Sequence, residues 1–177
     1  MLVTETDIEG AYVVGPERFD DERGFFARAW SEQELADLGV EARFVEGNVS
    51  YNVRRGTLRG LHYQAAPHGQ AKLVRCTRGA VFDVGVDLRR DSPTYGRWVG
   101  VELSAANRLM LYLPAEFAHG YLTLADDSEV YYLVTGQFAP ESGRGARWDD
   151  PAFRIRWPEA GELIINERDR TYPDFQL

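Results

Sequence analysis

Two neighbouring stretches, Arg59-Gly60-Leu61-His62-Tyr63-Gln64 and Gln70-Ala71-Lys72-Leu73-Val74, place an arginine, a histidine and a lysine close together. Both stretches read as β-strands. A histidine moves protons near neutral pH. A lysine stabilises a developing oxyanion, and an arginine grips a phosphate. Together they are equipment for taking a proton from carbon beside a carbonyl in a phosphorylated substrate. Each residue also has a plain structural reading. His62 and His119 could be hydrogen-bonded structural histidines, and Lys72 and Arg59 could be solvated strand-edge charges. Read locally, Asp169 in Asn166-Glu167-Arg168-Asp169-Arg170 is a surface-turn acid. Tyr131 and Tyr132 read as core aromatics of a strand.

The strands must position these side chains. Segments 10–15, 23–30, 42–53, 57–64, 71–78, 80–88, 97–104, 108–114, 119–125, 129–138 and 153–157 are rich in β-branched and aromatic residues. Breakers such as Arg55-Gly56, Arg78-Gly79, Asp91-Ser92-Pro93 and Ala139-Pro140 separate many of them. So many closely spaced strands predict an all-β sandwich or barrel rather than alternating βαβ units. One short helix is expected near 32–38, with Ser31 and Glu34 at capping-box spacing and Gly39 as a C-cap. Alternation puts Phe82, Val84, Val86 and Leu88 on one face and Asp83 and Asp87 on the other. His119, Tyr121 and Thr123 share a face. Arg59 and His62 have opposite parity, so a bulge or a strand end is needed for both to reach one ligand.

Length and composition bound the function. The 177 residues predict one domain, 1–177, large enough to bury a core, and a 44% hydrophobic fraction excludes disorder. A net charge of −8 excludes a nucleic-acid surface, although a few local cations suffice for one diphosphate. No apolar run has the length of a membrane span, and the acidic N-terminal residues do not form a signal peptide. The expected location is therefore the cytoplasm. Cys76 is the single cysteine, so no internal disulfide can form.

The main rival chemistry is a metal site built from His62, His68 and His119. No His-x-His or His-x-x-x-His spacing occurs, and His68 lies in a loop between Pro67 and Gly69. A serine hydrolase lacks its Gly-x-Ser-x-Gly elbow, and no Walker or Rossmann glycine loop is present.

Further segments fall in a recognisable order: Phe19-Asp20-Asp21-Glu22-Arg23-Gly24-Phe25-Phe26, Asn48-Val49-Ser50, Gly56-Thr57-Leu58-Arg59-Gly60-Leu61-His62-Tyr63-Gln64, Gln70-Ala71-Lys72, Gly79 through Asp87, Ser92-Pro93-Thr94, Pro114-Ala115-Glu116-Phe117-Ala118-His119-Gly120, Trp148-Asp149-Asp150-Pro151 and Trp157-Pro158. In that order they resemble the nucleotide-sugar epimerases typified by dTDP-4-dehydrorhamnose 3,5-epimerase. The resemblance covers nearly the whole chain. It implies a cupin-like jelly-roll β-barrel with a few short peripheral helices, without metal or redox cofactor. It implies a homodimer whose N-terminal strands cross to the partner's site. The implied substrate is a nucleoside-diphosphate 4-keto-6-deoxyhexose, inverted at C3, C5 or both.

Site residues follow from the same resemblance. His62 matches the base, Asp169 the acid that pairs with it, Lys72 the lysine near the keto oxygen, and Tyr132 the proton donor on the opposite face. Arg23 and Arg59 match phosphate-side or nucleotide-side contacts, and Phe26 belongs with them. His119 and Asp83 look like support for the pocket. The chain departs from the family pattern at Arg28, where a glutamate is usual, and at Glu46, within Glu46-Gly47-Asn48, where a glutamine is usual. After Tyr132, Leu133-Val134-Thr135-Gly136-Gln137-Phe138 replaces the usual run, and Phe138 keeps a stacking ring without a hydroxyl. These departures leave open which nucleobase is carried and how many centres are inverted.

Overall fold

The computed structural model describes residues 1–177. Its strands are β1 (Leu2–Glu5), β2 (Tyr12–Gly15), β3 (Arg18–Asp21), β4 (Gly24–Ala27), β5 (Glu46–Asn52), β6 (Leu58–Gln64), β7 (Lys72–Arg78), β8 (Ala80–Asp87), β9 (Trp98–Ser104), β10 (Met110–Leu113), β11 (Phe117–Thr123), β12 (Ser128–Val134) and β13 (Gly143–Gly145). Two short helices, α1 (Glu32–Ala36) and α2 (Glu167–Arg170), lie outside the sheets. One antiparallel sheet runs β1-β2-β10-β7-β12-β5, and a second runs β13-β6-β11-β8-β9. The hairpin of β3 and β4 pairs only with itself. The two main sheets face each other as a jelly-roll-like sandwich, the all-β architecture expected from the strand spacing.

Side-chain alternation divides each sheet into two faces. Val74, Cys76, Val81, Leu103, Leu111, Phe117 and Val130 form the apolar filling between the sheets. The outer face of the first sheet is covered by the α1 region, where Leu35 and Ala42 pack on Val14, Leu73 and Tyr112. The outer face of the second is covered by the C-terminal segment, where Phe153, Trp157 and Phe175 pack with Leu61, Val84 and Val86. Both faces of both sheets are therefore engaged. Lys72 continues the inner row of Val74 and Cys76, and Tyr132 continues that of Val130. The inner surface thus changes from apolar to polar towards one end of the sandwich.

The helix expected at 32–38 is present and shorter, with Ser31 Oγ accepting from the Glu34 N–H and Gly39 at a φ of 74°. The strand expected at 153–157 does not form. Phe153 is buried and Ile155 and Trp157 are partly buried against the outer face, so the alternation is real, but no neighbouring strand pairs with this backbone. The strand expected at 129–138 stops at Val134, ahead of Thr135-Gly136. The short strands β1, β3 and β13 were not expected.

Candidate active site

Strand β6 solves the parity problem with a bulge. Its partner β11 pairs His119 with His62 and Tyr121 with Arg59, so β6 carries one extra residue between those pairs. The extra residue turns Arg59 and His62 to the same inner face. Glycine is required there. Gly60 has a φ of 124°, and a Cβ on it would lie 2.5 Å from Gly120 Cα and 2.8 Å from the His119 carbonyl oxygen.

Two adjoining hollows open at the polar end of the sandwich and share His62, Lys72 and Tyr132. The larger, about 390 Å³, is also lined by Glu46, Asn48, Gln70, Phe138, Arg144 and Arg168. The smaller, about 300 Å³, adds Arg59, His119, Tyr121 and Asp169. His62 stands on the second sheet, whereas Lys72 and Tyr132 stand on the first. The histidine and the tyrosine therefore belong to opposing walls.

His62 Nε2 lies 2.7 Å from Asp169 Oδ1, and the other carboxylate oxygen accepts the Gly60 N–H at 3.0 Å. Asp169 is completely buried, which corrects its local reading as a surface-turn acid. Helix α2 carries it, capped by Asn166, whose side-chain oxygen accepts the Asp169 N–H at 2.7 Å. Burial alone would raise the Asp169 carboxyl, but the hydrogen bonds from His62 and Gly60 outweigh it and hold the group below the ordinary aspartate value. The carboxylate is ionised at neutral pH. It orients the imidazole.

Lys72 Nζ donates to the His62 carbonyl oxygen at 3.2 Å. Burial lowers its pKa to about 8, with nearby Asp83 acting in the opposite direction. The lysine is still mostly cationic at neutral pH. A second histidine–aspartate pair lies beside the first: His119 Nε2 is 2.8 Å from Asp83 Oδ1, and both side chains are buried. Burial lowers the His119 pKa against the pull of Asp83. Burial also raises the Tyr132 phenol, which keeps it protonated and able to donate. Tyr131 has the opposite parity and lines neither hollow.

Arg59 Nε donates to Asn52 Oδ1 at 2.8 Å, and the buried Asn52 is itself anchored on the Ser128 carbonyl at 3.1 Å. The arginine is thereby aimed along the smaller hollow. His68 lies apart from the other two histidines, 3.9 Å from Glu141, and no three His, Cys, Asp or Glu side chains converge as a metal-ligand set.

The family model described as dTDP-4-dehydrorhamnose 3,5-epimerase matches residues 5–176. The chain belongs to that family. A dTDP-4-dehydrorhamnose 3,5-epimerase of Sinorhizobium fredii is 46% identical over 177 residues, covering 98% of this chain and 89% of the relative. The crystal structure of the Elizabethkingia anophelis enzyme of that name superposes with a TM-score of 0.95 at 39% identity, covering 99% of this chain and 96% of the other. A dTDP-6-deoxy-D-glucose-3,5-epimerase from Legionella pneumophila, solved in complex with dTDP-4-keto-L-rhamnose, gives a TM-score of 0.88 at 38% identity and covers 95% of this chain and 89% of the other. The epimerase family and its cupin-like fold are those that the ordered motifs implied.

Of the residues singled out from the sequence, His62, Lys72, Tyr132, Asp169, Arg59, His119, Glu46, Asn48 and Phe138 all line the two hollows, and Asp83 braces His119. Arg23, Phe26 and Arg28 line neither. Phe26 is exposed on the free β3–β4 hairpin, Arg23 pairs with Asp21 at 2.6 Å, and Arg28 pairs with Glu34 at 2.5 Å beside α1. Sequence reasoning missed Gln64, Gln70, Arg144 and Arg168. Gln64 braces the Phe138 loop, donating to the carbonyls of His68 and Gln137 and accepting the Ala139 N–H at 2.7 Å. Both glutamines stand inside motifs already noticed, so their inner-face parity was the available signal.

Proposed function

We propose that this chain is an isomerase that epimerises a dTDP-linked 4-keto-6-deoxyhexose at C3 and C5. The C4 ketone acidifies the hydrogens on both neighbouring carbons. His62 takes one of them as a proton, and the electron pair left behind moves onto the keto oxygen. Asp169 balances the charge gained by the imidazole. Lys72 stabilises the enolate oxygen. Tyr132 donates its phenolic proton to the other face of the carbon, the ketone re-forms, and the centre is inverted. The tyrosinate regains a proton from solvent and His62 gives up its own, so the site returns to its starting state. Repetition at the second carbon gives the double epimer.

The observation that carries this reading is the placement of His62 and Tyr132 on opposing walls of one hollow. A single base returning its own proton to the same face would restore the starting centre. Two proton-carrying groups on facing sheets avoid that.

Substrate anchoring is shared between sources. Arg59, Arg144 and Arg168 supply positive charge around a diphosphate, and Phe138 offers an exposed ring beside Glu46 and Asn48 for the nucleobase. Arg23, Phe26 and Arg28 enter through a homodimer in which the β3–β4 hairpin of one protomer reaches the hollow of its partner. The exposure of Phe19 and Phe26 on that hairpin, of Val49 and Tyr51 on edge strand β5 and of Val53 just after it supports this arrangement. Sedimentation of the purified protein checks it, with a dimer expected and a monomer at working concentration counting against it.

The activity is tested by NMR of dTDP-4-keto-6-deoxyglucose in deuterated water with the purified protein. Deuterium entering both C3 and C5, with inversion, is the expected result. Label at one carbon narrows the activity to a single centre. Label at neither overturns it in favour of a sugar-nucleotide binding protein.

A further inference from the structure

Tyr172 follows Asp169, the aspartate that holds His62, by three residues and lies just past the end of α2. Its ring stands edge-on to the His62 imidazole, with centroids 6.4 Å apart and planes at 71°. The space for that ring is reserved by a glycine. Gly145 of β13 is the direct cross-strand partner of His62, and a Cβ on Gly145 would lie 2.1 Å from the Tyr172 ring. The ring thus fills the place where any larger β13 residue would put its side chain. Two arginines hold the tyrosine from outside: the Arg168 guanidinium lies 5.9 Å from its ring centroid, and Arg147 Nη1 donates to its carbonyl oxygen at 3.4 Å. Tyr172 lines neither hollow. Its hydroxyl is buried and has no hydrogen-bond partner, so what the residue supplies is its ring.

We propose that Tyr172 is a positioning residue that packs against His62 and keeps the imidazole in the rotamer that meets Asp169. This rests on the reading of His62 as the base. Nearly half of the His62 side chain is exposed, at 43%, and its one side-chain hydrogen bond fixes a single nitrogen while leaving rotation about that contact free. A ring set edge-on against the imidazole removes that freedom. One short C-terminal segment therefore delivers both restraints, the carboxylate to Nε2 and the aromatic ring to the imidazole.

The test compares Tyr172→Ala, Tyr172→Phe and Gly145→Ala with the wild-type enzyme. Tyr172→Ala is expected to lower kcat by roughly ten- to a hundredfold, the scale of a displaced catalytic group, with KM changed less than threefold. Tyr172→Phe keeps the ring and restores kcat to within about threefold of wild type. Gly145→Ala displaces the ring and reproduces the Tyr172→Ala defect. NMR of the His62 imidazole gives a readout independent of turnover: the downfield Nε2–H signal of the hydrogen bond to Asp169 weakens or vanishes in Tyr172→Ala, because that contact loosens, and returns in Tyr172→Phe. A Tyr172→Ala enzyme with wild-type kcat and an unchanged imidazole Nε2–H signal overturns the proposal. So does a Tyr172→Phe enzyme as impaired as Tyr172→Ala, which would transfer the role to the hydroxyl. If the imidazole Nε2–H signal responds as expected while kcat does not, the clamp stands and the reading of His62 as the base fails.

Discussion

His62 and Asp169 are 107 residues apart in the chain, yet Nε2 of one lies 2.7 Å from Oδ1 of the other. The contact joins strand β6 to a one-turn helix near the C-terminus. The same carboxylate accepts the N–H of Gly60, the residue at the bulge that turns His62 inward. The bulge, His62 and Asp169 are therefore one mechanical unit, and changes to any of them should register at the others.

Asp169→Asn keeps the size and an acceptor for Gly60 while removing the charge. The imidazolium formed during proton abstraction then has no anionic partner. The expected fall in kcat is roughly a hundred- to ten-thousandfold, with KM little changed. Steady-state kinetics together with circular dichroism to verify the fold check this.

Gly60→Ala strikes the unit through the backbone. Its φ of 124° and the 2.5 Å approach of Gly120 Cα leave no room for a methyl group. The strained conformation alone costs on the order of 1–3 kcal/mol, and the collision adds to it. Gly39→Ala is the comparison, since Gly39 also has a positive φ, 74°, but nothing lies within 4 Å of its added Cβ. Urea unfolding should show the larger loss for Gly60→Ala, accompanied by a loss of activity that Gly39→Ala does not share.

Much of this was legible in the sequence. The opposite parity of Arg59 and His62 called for a bulge or a strand end, and β6 contains a bulge. The alternation in β8 correctly put Asp83 on the face opposite Phe82, Val84 and Val86, and that in β11 put His119 with Tyr121. Asp169 shows where local reading stops. Nothing in Asn166-Glu167-Arg168-Asp169-Arg170 distinguishes a buried carboxylate from a surface one, because its burial comes from β6 packing over it. Only the ordered resemblance across the whole chain pointed to it. Residues 153–157 fail for the converse reason. Their alternation records burial against a sheet, and alternation is silent about whether a pairing strand is present. In β13, Gly143-Arg144-Gly145 has almost no side-chain signal, so neither the strand nor the Tyr172 ring accommodated at Gly145 could be read locally.

In the proposed mechanism the lowered pKa of Lys72 sets an alkaline limit on the reaction. The cationic form, which would stabilise the proposed enolate, predominates below the folded-state value of about 8. As pH rises through that value the lysine becomes neutral, so kcat should fall on the alkaline side with an apparent pKa near 8. Lys72→Met removes this limb of the profile and lowers kcat by roughly a hundred- to a thousandfold. A profile for the wild-type enzyme that stays flat to pH values well above 8 would contradict this placement of the charge.

Tyr132→Phe separates proton removal from proton return. The proposed base is intact, so deuterium from solvent is expected still to enter the substrate on the face served by His62, while inversion slows by roughly a hundredfold or more. Tyr131→Phe, one residue earlier and outside both hollows, leaves the ratio of exchange to inversion unchanged. NMR integration of exchange against epimer formation distinguishes the two variants.

The role of His62 is tested most directly by its replacement with alanine and the rate at which solvent deuterium enters C3 and C5 of the substrate. His62→Ala should lower exchange at both carbons by several orders of magnitude in a protein that still folds and still binds dTDP. Undiminished exchange at either carbon would show that another group removes that proton, and would reject His62 as the base.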